Sequence, residues 1–144
     1  MKQRQGGFLI ARIHQLGGRI FARKLRERGV ELNPAQGRII FVLWQHGRMP
    51  IQELARRTSL GKSTLTTMLD RLENSGHLRR VPSKDDRRVI YIELTVKNRQ
   101  LQRVYEEASR EMTVEFYRGF TAREIDAFEG YLGRVLANLE KAGE

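Results

Sequence analysis

Residues 51–94 constrain the fold more than any other stretch. Ile51, Leu54 and Ala55 recur at the i, i+3, i+4 spacing of one helix face. Thr58-Ser59-Leu60-Gly61 interrupts that period with turn-forming residues. Leu65, Met68, Leu69 and Leu72 resume it, and Gly76 stands where a helix would stop. Two short helices joined by a tight turn containing Gly make a helix-turn-helix candidate. Such a unit lays its second helix in the DNA major groove. Opposite the apolar stripe that helix carries Lys62, Ser63, Thr64, Thr66, Thr67 and Arg71, all hydrogen-bond donors and none acidic.

Leu78 to Pro82 and Val89 to Leu94 read as strands, the second alternating Ile90, Ile92, Leu94 against Val89, Tyr91, Glu93. Ser83-Lys84-Asp85-Asp86-Arg87-Arg88 between them is too polar for core and lies where a hairpin must turn. A helix-turn-helix followed at once by a basic hairpin is a winged helix. The expected fold class is therefore mainly α (α+β), with the winged helix over 33–94 of a single 1–144 domain.

With these elements in place the chain resembles the multiple-antibiotic-resistance regulator (MarR) family of repressors. The resemblance rests on Asp86-Arg87-Arg88 in the wing, Leu94-Thr95 after it, the Leu69-Asp70-Arg71-Leu72-Glu73 run ending at Gly76, and Leu32-Asn33-Pro34-Ala35-Gln36 upstream. Two positions depart from the family pattern. Gly61 replaces the usual Ser before the second helix, and Asn98 replaces the usual Gly after the second strand.

Charge supports a polyanionic partner. The sequence holds 27 Lys and Arg against 17 Asp and Glu, a net +10. Residues 1–30 carry eight basic and one acidic residue, and residues 31–94 carry eleven and seven, but residues 95–144 carry eight and nine. A generally Arg-rich surface would not leave the last third neutral. With no cysteine, disulfides and thiol switches are excluded. No apolar run reaches the length of a membrane span, and the N-terminus lacks a signal peptide's apolar core, so a cytoplasmic protein with no membrane partner is expected.

The flanking segments read as helices. Over 6–29, Leu9, Ile13, Leu16 and Ile20 form one stripe among arginines, most of which read as solvated. Gly17-Gly18 within it fits either a close helix approach or a bend. Asn33 and Pro34 open a second helix as N-cap and first residue, and its Ile39, Ile40, Val42, Leu43 and Trp44 are apolar on more than one face. Arg48-Met49-Pro50 is a candidate short strand beside the wing. After the wing, Thr95 is expected to cap a helix running to about Gly119, and Thr121 with Glu124 makes a capping box for the last. Its stripe includes Leu132, Leu136 and Leu139. The resemblance implies that residues 6–29 and 95–142 form a homodimer interface through Leu9, Ile13, Leu132, Leu136 and Leu139; an intramolecular helical hairpin is the alternative.

No catalytic or cofactor motif appears: no phosphate loop, no nucleophile elbow, and His14, His46 and His77 stand too far apart to hold a metal. The chain reads as no enzyme, with no cofactor. The resemblance further implies a small aromatic or phenolic effector, for which Phe41, Trp44, Tyr105 and Phe116 are the available lining residues, although core packing explains each of them as well. The reading that follows is a sequence-specific transcriptional regulator on double-stranded DNA, a repressor binding a pseudo-palindromic operator as a homodimer. Lys62, Ser63, Thr64, Thr66 and Thr67 would read bases, Arg87 and Arg88 would enter the minor groove with Asp86 orienting Arg88, and Lys84 and some of Arg56, Arg57, Arg71, Arg79 and Arg80 would meet phosphates. A protein-interaction module or a non-specific DNA-coating protein are the alternatives.

Overall fold

Asn33 sets the first well-defined helix start. Its side chain accepts from the Gln36 amide at 2.8 Å, and the Gln36 side chain accepts from the Asn33 amide at 3.0 Å. In the computed structural model, which describes residues 2–143, this capping box opens α2 (Pro34–His46). The other elements are α1 (Gly6–Glu27), β1 (Met49–Pro50), α3 (Ile51–Thr58), α4 (Lys62–Asn74), β2 (Leu78–Pro82), β3 (Ile90–Leu94), α5 (Asn98–Phe116) and α6 (Ala122–Ala142). The fold is mainly helical with a small antiparallel sheet, the winged helix-turn-helix that the periodicity predicts. No helix among the described residues is long and apolar enough to cross a membrane.

The chain divides into two compact units, one up to Ser109 and one from Arg110 onward. In the first, α2 is the centre: it packs against α3, α4 and β3. Ile39 and Ile40 are fully buried and Leu43 nearly so, which is why this helix is apolar on more than one face. Leu54 of α3, Leu65, Leu69 and Leu72 of α4, and Leu78 and Ile92 of the sheet complete the core. The sheet order is β1-β3-β2, with Ile92 paired to Met49 on one side and Arg80 on the other. The short strand expected at Met49-Pro50 thus pairs with the wing.

Helix ends follow the glycines. After α4, Gly76 takes φ +81°, its amide donates to the Glu73 carbonyl and that of His77 to Leu72, the paired bonds of a Schellman motif. The same pair closes α1, from Gly29 to Arg26 and from Val30 to Leu25. At Gly18 a Cβ would lie 3.5 Å from the Pro34 ring, so the start of α2 packs closely there.

One boundary differs from expectation. α5 begins at Asn98, not after a Thr95 cap, because the Thr95 hydroxyl donates to the Gly76 carbonyl instead. That bond, and the Thr95 amide donating to His77 at 3.1 Å, tie the end of the wing to the end of α4. Asn98 is buried at 1% exposure, and its Oδ1 accepts from the Trp44 indole at 2.7 Å. An indole N–H only donates, so it must face the amide oxygen. The bond joins α2 to the first residue of α5.

In the second unit, Thr121 and Glu124 form the expected capping box of α6, with bonds of 3.1 and 2.9 Å. Phe116, Tyr117, Phe120 and Phe128 cluster at the α5–α6 turn, and the Tyr117 hydroxyl donates to Glu129 at 2.6 Å. That bond raises the phenol to about 12.

The Trp44–Asn98 bond yields a stability test. Trp44→Phe leaves a buried amide oxygen without its donor and should cost about 1–3 kcal/mol in urea unfolding. An unchanged midpoint would mean that the bond contributes nothing.

Candidate nucleic-acid interface

The outer face of α4 is set by its inner one. Leu65, Met68, Leu69 and Leu72 are buried, and Lys62, Ser63, Thr64, Thr66, Thr67 and Arg71 all emerge exposed on the other side. The N-cap Gly61 provides no side-chain acceptor, so the first-turn amides keep their capacity for an anion. The threonines need one revision. The Thr66 hydroxyl already donates to the Lys62 carbonyl at 2.9 Å, and Thr67 to Ser63 at 3.1 Å. Outward they therefore present an acceptor oxygen and a methyl group, suited to an exocyclic amine and to a thymine methyl.

The wing turns on two side chains. The Ser83 hydroxyl accepts from the amides of Asp85 at 3.2 Å and Asp86 at 3.3 Å, and the Ser83 amide donates to Val89 at 2.9 Å. Asp86 then accepts from Arg88 three times: from its amide at 3.0 Å, Nε at 3.1 Å and Nη2 at 3.2 Å. The expected Asp86–Arg88 pair is therefore formed, with the Arg88 side chain 90% exposed. Its side-chain and backbone bonds hold the Asp86 carboxyl below its ordinary range. Lys84 and Arg87 are exposed beside it.

Other arginines brace the frame. Arg80 of β2 donates to Glu73 at 2.7 Å and to Asp70 at 2.8 Å, both on α4, while its amide donates to Glu73 at 3.1 Å. Arg79 pairs with Glu93 across the sheet, and Arg48 stacks on Tyr91 at 4.4 Å. Arg57 donates to Glu53 at 3.0 Å. Arg80 in particular is engaged on both sides and only 24% exposed, so it joins wing to helix and is withdrawn from the phosphate-contact candidates. The sequence offered no signal for two further bonds of α2. Asn33 Nδ2 donates to Met68 Sδ at 3.3 Å, and Arg38 Nη1 to the Thr58 carbonyl at 2.9 Å.

Residues 32–90, the span of this helix-turn-helix and wing, match the MarR family model. Over this span the chain is similar to the MarR family. It is 40% identical over 72 residues to the HTH-type transcriptional regulator TtmR of Methylorubrum extorquens, covering 50% of this chain and 37% of that relative. The match thus spans little more than a third of TtmR's length. Among solved structures it resembles a probable transcriptional regulator from Pseudomonas aeruginosa, at 25% identity and TM-score 0.80, covering 91% of this chain and 96% of that one. It also resembles a mutant MarR from E. coli complexed with operator DNA, at 25% identity and TM-score 0.75, covering 90% and 92%. Such relatives are transcriptional regulators and not enzymes, in agreement with the sequence reading.

Around this winged helix the expected accessory residues separate. Phe41 and Tyr105 line a cavity of about 210 Å³ with Phe21, Pro34 and Arg38. Trp44 packs edge-on against Tyr105 at 4.7 Å but does not line that cavity. Phe116 does not line it either: it sits with Tyr117 and Phe128 in the second unit. Burial pushes the Tyr105 phenol up to about 12, so it stays protonated. Leu9 and Ile13 on α1 and Leu136 and Leu139 on α6 are exposed, at 43–65%, while Leu132 is half-buried.

The wing geometry gives a measurable titration. Followed by carboxyl-carbon NMR, Asp86 should titrate below an ordinary aspartate. In Arg88→Ala it should move part of the way back, because the backbone donor remains. A carboxyl depressed in the native state adds stability above its unfolded value, which is lost as pH falls through the native one. An Asp86 titration identical in both proteins would mean that the side-chain pair is not formed in solution.

Proposed function

We propose that the chain is a sequence-specific DNA-binding transcriptional regulator, acting as a homodimeric repressor that a small aromatic acid releases. The observation that carries this is the pairing of an exposed polar and basic face on α4, whose single acid Asp70 is neutralised by Arg80, with an exposed basic wing tip, both held on one buried core. Lys62, Ser63, Thr64, Thr66 and Thr67 read base edges, while Arg87 and Arg88 enter the neighbouring minor groove. Lys84 and Arg71 meet phosphates. A protein-interaction module is disfavoured because that face is neither apolar nor acidic.

Dimerisation is supported by the exposed stripes. Leu9 and Ile13 on α1, and separately Leu136 and Leu139 on α6, are large apolar residues left exposed at helical spacing in a lone chain. A second copy covers them, and two-fold symmetry then calls for an inverted repeat with half-sites about 10 base pairs apart. Phe41 and Tyr105 are the cavity residues for the effector. The E. coli relative's complex with operator DNA supports the DNA partner.

Selection from random genomic fragments, with sequencing of what is retained, tests the reading. An inverted repeat is expected; featureless DNA would indicate coating, and nothing retained would indicate an interaction module. Changing both Leu132 and Leu136 to Glu should give monomers by sedimentation and abolish binding to the recovered site. On that site Arg88→Ala should weaken all sequences and lower the salt slope by about one. Thr67→Ala should instead change base preference by roughly 1–3 kcal/mol at one position, with an unchanged salt slope. Equal slopes for Arg88→Ala and the parent protein would remove Arg88 from the DNA contact.

A further inference from the structure

Asn98 has one end of its amide satisfied and the other not. Its Oδ1 accepts from the Trp44 indole at 2.7 Å, and because an indole N–H only donates, the amide is held in that orientation. The Nδ2 group is thereby left on the other side, where it finds no acceptor in the protein although the residue is 1% exposed. An unpaired buried donor is an exception in folded proteins and marks a place where a bound group supplies the acceptor. Asn98 lines a cleft of about 240 Å³, where the end of α2 and the segment after β3 meet the start of α5.

The charge at that cleft is of one sign. Arg99 is the charged residue lining it, and no carboxylate lines it. Arg99 is exposed and has no ion-pair partner among the described residues. The carboxylate on the next turn of α5, Glu106, is held by the Gln102 amide at 3.1 Å. The first turn of α5 contains no acidic residue, so no side chain there offsets the positive end of the helix dipole.

We propose that this cleft is an oxyanion site that takes a phosphate group, free or as the end of a small phosphate ester, on Asn98 Nδ2, the Arg99 guanidinium and the start of α5. Phosphate offers several strong acceptor oxygens at once, which suits donors arriving from a side chain, a cation and a helix end. A guanidinium bond to such an ion is charge-assisted and stronger than one to a neutral acceptor. The site is separate from the surface assigned to DNA, since neither Asn98 nor Arg99 lies on α4 or at the wing tip.

Nitrogen-15 NMR on the full chain at neutral pH tests this, with sodium phosphate replacing sodium chloride at constant ionic strength. The Asn98 side-chain NH2 and the Arg99 Nε–H should shift together along one saturating curve. The Ser63 and Thr64 amides, at the uncapped start of α4, report any phosphate on the DNA-reading face and should follow a different curve. Arg99→Gln should weaken the Asn98 response about tenfold and leave the α4 curve unchanged. Asn98→Asp keeps an acceptor for Trp44 but replaces the donor with an anion, and should abolish the Arg99 response. Glycerol 3-phosphate in place of inorganic phosphate separates the two sources: tighter binding assigns the ester, and equal or weaker binding assigns the free ion. No shift at Asn98, a shift that stays linear in phosphate, or a curve that Arg99→Gln leaves unchanged would overturn the proposal. The titrations of the unaltered protein and of Arg99→Gln decide even where Asn98→Asp does not fold.

Discussion

The burial of Leu65, Leu69 and Leu72 against α2 is the contact on which the rest depends, each being 1–2% exposed. A helix that buries one stripe this completely has no freedom to rotate, so its opposite face is fixed to within a side chain's reach. Each such leucine contributes roughly 1.5–3 kcal/mol of transfer free energy, enough to outweigh the missing side-chain cap at Gly61. Ile39 and Ile40 hold the other side of the contact, and Ile92 brings the sheet to the same core. The outer face of α4 and the wing therefore share one base.

Charge then couples the wing to the helix. Arg80 reaches from β2 to Asp70 and Glu73 on α4, and Thr95 bonds back to Gly76 where α4 ends. The hairpin that carries Arg87 and Arg88 cannot tilt without breaking those contacts. Asp86 adds a local restraint by holding Arg88 in its extended direction. A partly exposed pair such as Arg80–Asp70 adds little to global stability, and its value here is geometric.

Most of this architecture was legible because it is periodic or local. The stripe of α4, the Asn33-Pro34 start, the Thr121–Glu124 box, the strand at Met49-Pro50 and the Asp86–Arg88 pair all rest on residues a few positions apart or on alternation. What escaped was long-range. Thr95 reads as a helix cap until the Gly76 carbonyl is seen beside it. Arg80 reads as a phosphate contact until two carboxylates a turn apart on another element claim it. Nothing near Asn98 in sequence announces Trp44, and nothing near Arg38 announces Thr58. The hydroxyls of Thr66 and Thr67 read as donors because the i−4 carbonyl is always available in a helix but not always used.

The chain has no cysteine, which allows the most direct measurement of the central claim, that the outer face of α4 lies in the major groove. A single thiol placed by Thr67→Cys, carrying an iron chelate that cleaves nearby DNA, reports where that position sits on the bound site. Cleavage confined to one short segment in each half-site, absent when the thiol is placed instead by Glu31→Cys in the exposed loop before α2, is the result expected. Cleavage that is the same from both positions, or spread evenly along the DNA, would contradict it.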